Sequence, residues 1–191
     1  SLILVILAVT ISYGAEAYQS MSKINNKVIR LHVIANSDTY EDQQLKYKVR
    51  NCIISSFDKE FEIVSSKDEG QNIIINKIDD IRRLASETIK KEGYSYDVNV
   101  YYGNYSFPRK QYEEIVLPEG HYDAVRIEIG KAEGNNWWCV MFPPLCFVDF
   151  GSKNSSEPVF DINTEKKLRE VLTDDEIETI RTKRGLESIK L

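Results

Sequence analysis

Residues 136–149 read NWWCVMFPPLCFVD, and this run limits what the chain can fold into more than any other. The adjacent prolines Pro143 and Pro144 fix φ and remove two backbone donors, so no helix passes through them. Both tryptophans of the protein, Trp137 and Trp138, precede the prolines. Six residues lie between Cys139 and Cys146, with the proline-forced turn midway. That spacing suits a hairpin-like loop whose ends a disulfide can bridge. Adjacent residues of a strand point to opposite faces, so a single-faced core cannot take both indoles. One tryptophan is then available to a partner or ligand, unless the C-terminal segment covers it. Tryptophan suits such contacts because it removes much apolar area with few rotors.

The state of the cysteines depends on compartment. Leu2 to Ile11 is almost wholly aliphatic, about the length of a signal-peptide apolar region, and Ala15-Glu16-Ala17 supplies a small-x-small cleavage pattern before Tyr18. Residues 1–17 therefore read as a signal peptide or membrane anchor truncated at its start; the competing reading is a buried N-terminal strand or helix. Export would permit a Cys139–Cys146 disulfide, worth about 2.5 kcal/mol in the chain-entropy model. Two reduced cysteines acting as small apolar side chains remain the alternative. Cys52 falls on the apolar face of a predicted helix and reads as core. Two histidines and three scattered cysteines give no zinc-like ligand spacing, so neither metal nor cofactor is expected.

Net charge is −5 without a basic stripe, which argues against nucleic-acid binding and against attachment to anionic lipid by charge alone. One domain is the default for 191 residues. Residues 18–150 read as a single α+β domain, and 151–191 as a polar linker (GSKNSSEP) with a helical tail.

VIRLHVIA at Val28–Ala35 has the character of a strand, with Ile29, Leu31, Val33 and Ala35 on one face and Val28, Arg30, His32 and Ile34 on the other. Thr39 with Asp42, or Asp38 with Glu41, can cap a following helix over about 41–61, where Leu45, Val49, Ile53, Phe57 and Phe61 recur at helical spacing. A second helix is expected over about 72–91, ended by Gly93. Val98, Val100 and Tyr102 then alternate with polar residues, Gly103-Asn104 reads as a turn, and another strand covers part of 105–116. Val125, Ile127 and Ile129 mark a strand alternating with Arg126 and Glu128. WWCVMF is the last strand, with Trp138, Val140 and Phe142 on one side. Thr173-Asp174-Asp175-Glu176 reads as a capping box for a tail helix, either docked or frayed. A strand, two helices and then a run of strands imply an α+β two-layer sandwich. Its sheet is mainly antiparallel, with both inserted helices on one face.

Few constellations suggest catalysis. Ser37 with His32 and Asp38 lacks a nucleophile-elbow context and reads first as helix capping. His121 with Glu119 and Asp123 has no nucleophile at hand. Lys46 and Arg50, spaced i and i+4, read as solvated basic residues; the alternative is that they reach Asp38 or a partner's carboxylate.

LHVIANSD, followed by DQQLKYKVR and, far along the chain, by NWWCVMFPPLCF, resembles the stage II sporulation protein R family of endospore-forming bacteria. The similarity spans roughly residues 28–150. The resemblance implies a protein exported from the forespore into the space between the two surrounding membranes. There it triggers a membrane-embedded aspartic protease of the mother cell, which processes the precursor of sigma factor E. It implies an activator with no catalytic residues. The expected contact residues are His32, Asn36, Asp38, Lys46, Arg50, Asn136, Trp137, Trp138, Pro143, Pro144 and the Cys139–Cys146 loop. An exported cell-envelope hydrolase using Ser37, His32, Asp38 or His121 is the alternative of a different class, and a wall-binding module is a third.

Overall fold

A computed structural model describes residues 23–112, 115–147 and 162–181. The leader read at 1–17 and the polar linker read at 151–158 lie outside the described residues.

Strand β1 (Ile29–Ile34) leads through Asn36–Thr39 into helix α1 (Tyr40–Glu62). Thr39 caps α1, its side chain accepting from the Asp42 amide. Helix α2 (Lys67–Lys91) starts five residues before the expected Asn72 because the preceding polar break supplies caps. The Ser66 side chain accepts from the Glu69 amide, and the Glu69 carboxylate accepts from the amide and hydroxyl of Ser65, both at 2.9 Å. The Ser65–Gly70 stretch is thus largely a helix start. Gly93, at φ +88°, ends the helix where expected.

Strands β2 (Val98–Phe107), β3 (Lys110–Tyr112), β4 (Ile115–Leu117), β5 (Gly120–Ile129) and β6 (Asn136–Phe142) follow, then a 3-10 turn at Leu145–Phe147. Helices α3 (Ile162–Val171) and α4 (Asp174–Ile180) close the described chain. The main sheet has the order β2-β5-β1-β6; β1 is parallel to β5 and the other two pairings are antiparallel. Strands β3 and β4 form a separate small sheet. The α+β class and the mainly antiparallel sheet agree with the sequence pattern.

Alternation along β1 separates two environments. Ile29, Leu31 and Val33, all fully buried, meet the apolar stripes of α1 and α2 in one cluster with Val125, Ile127 and Trp137. Burying one such aliphatic side chain contributes about 1.5–3 kcal/mol. The opposite face is covered at one end by β3, β4 and the tail helices. There Phe107, Tyr122, Ala124 and Val140 pack with Tyr112, Leu117, Leu168, Leu172, Ile177 and Ile180. The tail helix is therefore docked, and α4 begins at the expected box: Thr173 and Glu176 each bond the other's backbone.

Three local expectations need correction. Gly103-Asn104 is no turn: β2 runs unbroken through it, paired with β5 along all ten residues. The Tyr105 ring folds over Gly103, and Asn104 Nδ2 donates to Asp123 Oδ1 of β5 at 3.0 Å. Phe142 does not share a face with Trp138 and Val140. The register with β1 shifts between Ile29 and Arg30, leaving Met141 as the extra residue and turning Phe142 towards the helix-side cluster. Cys52 is a free cysteine and only half-buried, because Ile53 and Ile54 fill the core positions beside it.

Candidate functional site

The two motif-bearing segments are neighbours in space. Trp137 and Trp138 lie opposite Val33 and His32 in the β1–β6 ladder, and Asn136 lies opposite Ile34. His32 Nε2 and Asn136 Oδ1 are 2.8 Å apart, and the His32 ring stacks on Trp138 with centroids 5.8 Å apart. Across β1 the register adds Arg126 of β5 and Tyr101 of β2. A row Tyr101–Arg126–His32–Trp138 thus crosses all four strands on the face away from α1 and α2. Beside it runs a second row, Asn99–Glu128–Ile34–Asn136. Tyr101 is 46% exposed, Asn99 and Asn136 are exposed, and Arg126, Glu128 and Trp138 are half-buried. This end of the face is the partly open surface of the sheet.

Its electrostatics are restrained. Burial, reinforced by the charges of Arg126 and Arg30 and opposed by the bond to Asn136, lowers the His32 pKa to about 4. At neutral pH the ring is an uncharged hydrogen-bonding and stacking group. Arg126 Nη2 pairs with Glu128 Oε1 at 2.7 Å, and its guanidinium lies 5.4 Å from the Tyr105 ring centroid. Under the covered end, Arg30 is wholly buried. It donates to the Tyr112 hydroxyl at 2.7 Å and to the Cys139 carbonyl at 3.2 Å, with its guanidinium over the Phe107 ring at 4.5 Å. Tyr112 in turn donates to the Trp138 carbonyl at 3.1 Å.

The loop after β1 is a latch. Asn36 donates to Asp42 at 2.7 Å and accepts from the Lys131 amide at 3.0 Å. Ser37 donates to the same Asp42 carboxylate at 2.5 Å, and Asp38 accepts from the Asn135 amide at 2.6 Å. Neutral donors from Ser37, Asn36 and other neighbours outweigh the desolvation of Asp42 and hold its pKa below the usual range. Two glycines in the β5–β6 turn permit the close approach. A Cβ on Gly130 (φ +58°) would stand 2.3 Å from Asn36 Oδ1, and one on Gly134 would stand 2.2 Å from the Ser37 carbonyl.

The sequence-derived contact set therefore divides between two faces. His32, Asn136 and Trp138 meet on the open face; Asn36 and Asp38 form the latch. Trp137, 6% exposed, turns to the helix side, where Arg50 lies 4.7 Å from its ring centroid. Lys46 and Arg50 are not solvated: they are 1% and 4% exposed. Lys46 donates to Gln43 Oε1 at 2.6 Å and to the Asn135 carbonyl at 3.0 Å. Burial, with the charge of Arg50, lowers its pKa to about 8. Pro143 and Pro144 are buried. A disulfide joins Cys139 and Cys146, with Cα atoms 5.8 Å apart. Sequence reasoning did not place Tyr101, Arg126 or Glu128 in the site; the alternation of β5 was visible, but its register beside His32 was not.

The hydrolase alternative finds no assembled set. The Ser37 hydroxyl is engaged by Asp42, whereas the His32 ring is engaged by Asn136. His121 lies opposite Ser106, at the other end of β5. Among the described residues no group of three or more His, Cys, Asp or Glu side chains is arranged to hold a metal ion.

The molecule is a mixed α+β domain that offers an aromatic and polar strip on a half-covered sheet face. Its residues 25–152 match the family model described as stage II sporulation protein R. The chain is also 38% identical over 152 residues to stage II sporulation protein R of Bacillus subtilis (strain 168), covering 80% of this chain and 68% of that one. It belongs to the stage II sporulation protein R family. No solved structure matches it.

Proposed function

We propose that this sporulation protein is an exported signal that acts by contact, without catalysing a reaction. It would pass from the forespore into the space between the two membranes. There it would bind the exposed part of a mother-cell membrane aspartic protease, leading to cleavage of the sigma-E precursor. Binding the protease's active state more tightly than its inactive one would shift the population towards activity. The observation that carries this reading is the Tyr101–Arg126–His32–Trp138 row: aromatic, partly open and set on a rigid sheet, without an engaged nucleophile–base pair beside it.

The test is complementation in a sporulating host lacking its own copy. Trp138→Ala and Arg126→Ala are each expected to be exported and folded, and to reduce precursor cleavage about tenfold or more, as loss of a contact hot spot does. Full cleavage by both variants would remove the open face from the mechanism. Mass spectrometry of exported material tests the predicted cut before Tyr18.

A further inference from the structure

A guanidinium taken out of water is costly unless both its charge and its donors are met. Arg30 of β1 is wholly buried, and no ion pair among the described residues includes it. Its charge faces rings instead: Phe107, Tyr122 and Tyr112, with centroids at 4.5, 5.0 and 5.8 Å. Its Nη1 is buried without a hydrogen-bond partner. The donors that are met lead to one place. Nε donates to the Cys139 carbonyl at 3.2 Å. Nη2 donates to the Tyr112 hydroxyl at 2.7 Å, and that hydroxyl donates to the Trp138 carbonyl at 3.1 Å. Both routes end on consecutive carbonyls of β6. A methionine of similar length at position 30 would remove the desolvation and the orphan N–H together. Natural proteins keep a locally unfavourable choice of this kind chiefly where it serves function.

We propose that Arg30 and Tyr112 are positioning residues for Trp138: the guanidinium and the phenol fix the Trp138–Cys139 backbone, so that the indole meets the partner in one orientation. This role rests on the contact reading above and says how the contact residue is held. Arg30 is 0% exposed and Tyr112 1%, so neither touches a partner, and their influence reaches the surface through β6. Trp138 itself is half-buried, with apolar neighbours of the second cluster on one side and the His32 ring stacked beside it. Apolar contact is non-directional and leaves such a ring able to slide. A hydrogen bond to a carbonyl is directional and sets the height and tilt of the strand beneath the ring. The disulfide anchors the Cys139 side chain within the helix-side cluster, and the Arg30 bond anchors its carbonyl. Because Tyr112 belongs to β3, the same bonds tie the small sheet to the residue whose indole faces out.

The test uses Arg30→Met and Tyr112→Phe in the full chain, expressed in a sporulating host lacking its own copy. Fluorotryptophan labels both indoles of the purified chain, and fluorine NMR gives each its own resonance, assigned by the signal missing from Trp138→Ala. Each variant should keep its Tm within about 4 °C of the unmodified chain. The Trp137 resonance should stay in place, and the Trp138 resonance should shift and broaden. Precursor cleavage should fall about fivefold to tenfold, the effect of having to order one large side chain on binding. Arg30→Met combined with Trp138→Ala should be no worse than Trp138→Ala alone, because a residue acting through the indole then has nothing to act on. If Arg30→Met unfolds the domain, Tyr112→Phe, which loses a single oxygen, carries the test. A folded variant with an unchanged Trp138 resonance, or with full cleavage, overturns the positioning role and leaves contact activation standing. So do additive losses in the double variant. Full cleavage by Trp138→Ala overturns the contact reading itself, and the positioning role with it.

Discussion

The two faces of β1 show how differently one strand can be stabilised. On the helix side, Leu31 and Val33 meet aliphatic and aromatic side chains in a continuous apolar core. On the other, Arg30 is as fully out of water and His32 nearly so, yet they are held by hydrogen bonds and by rings: Phe107, Tyr112 and Tyr122 around Arg30, and Trp138 and Phe107 around His32. The first face needs only volume and shape. The second sets most of its polar atoms against partners, leaving Arg30 Nη1 and Arg126 Nε buried without a hydrogen bond, and its stability is bound to ionisation.

The comparison breaks first under paired core substitutions. Leu31→Ala should cost about 3 kcal/mol, the usual penalty for a cavity in a close-packed core, measured by urea denaturation. Arg30→Met should cost no more than about 1 kcal/mol, because an apolar group of similar length removes the desolvation of a buried charge. A larger loss from Arg30→Met than from Leu31→Ala would show that the guanidinium network is a principal source of stability. Acid sharpens the contrast. The folded state holds His32 at about 4, against 6.5 in an unfolded chain, so the unfolded chain binds its proton first. Stability from this group is complete above pH 6.5 and is lost as pH falls from 6.5 towards 4, by on the order of 3 kcal/mol. His32→Gln should remove that part of the pH dependence, and parallel denaturation profiles for the two proteins would contradict the burial argument. The smallest effect concerns the cover of the second face. Thr173→Ala should destabilise α4 by about 1 kcal/mol through loss of its cap. Faster amide exchange should be confined to α4 and its neighbours on that face.

Much of this was legible in residue order. β1, both long helices, the strand carrying the tryptophans and the Thr173–Glu176 box are written in local periodicity and capping chemistry, which do not depend on distant contacts. What was not legible depends on partners far away in sequence. Gly103-Asn104 looked like a turn because glycine and asparagine usually open one; the Tyr105 ring and the Asp123 carboxylate hold the strand straight instead. Lys46 and Arg50 looked solvated because charged helix residues usually are; besides Gln43, Asn51 and the Tyr47 ring on their own helix, the folded β5–β6 turn and Trp137 supply a distant carbonyl and ring that bury them. Arg126 and Glu128 carried no motif, and only the strand order brings them beside His32. Some of the contact residues inferred from the motifs lie side by side; alternation already set Trp137 and Trp138 on opposite faces, but only the packing shows that the helices cover Trp137.

Strand β6 is clamped at two points. Asp38 and Lys46 grip Asn135, the residue just before it, and the Cys139–Cys146 bridge ties its middle to the turn beyond the prolines. An indole mounted between two such anchors has surrendered its freedom during folding, before any receptor arrives. Little ordering entropy then remains to be lost on association, so even a modest footprint can yield a long-lived complex.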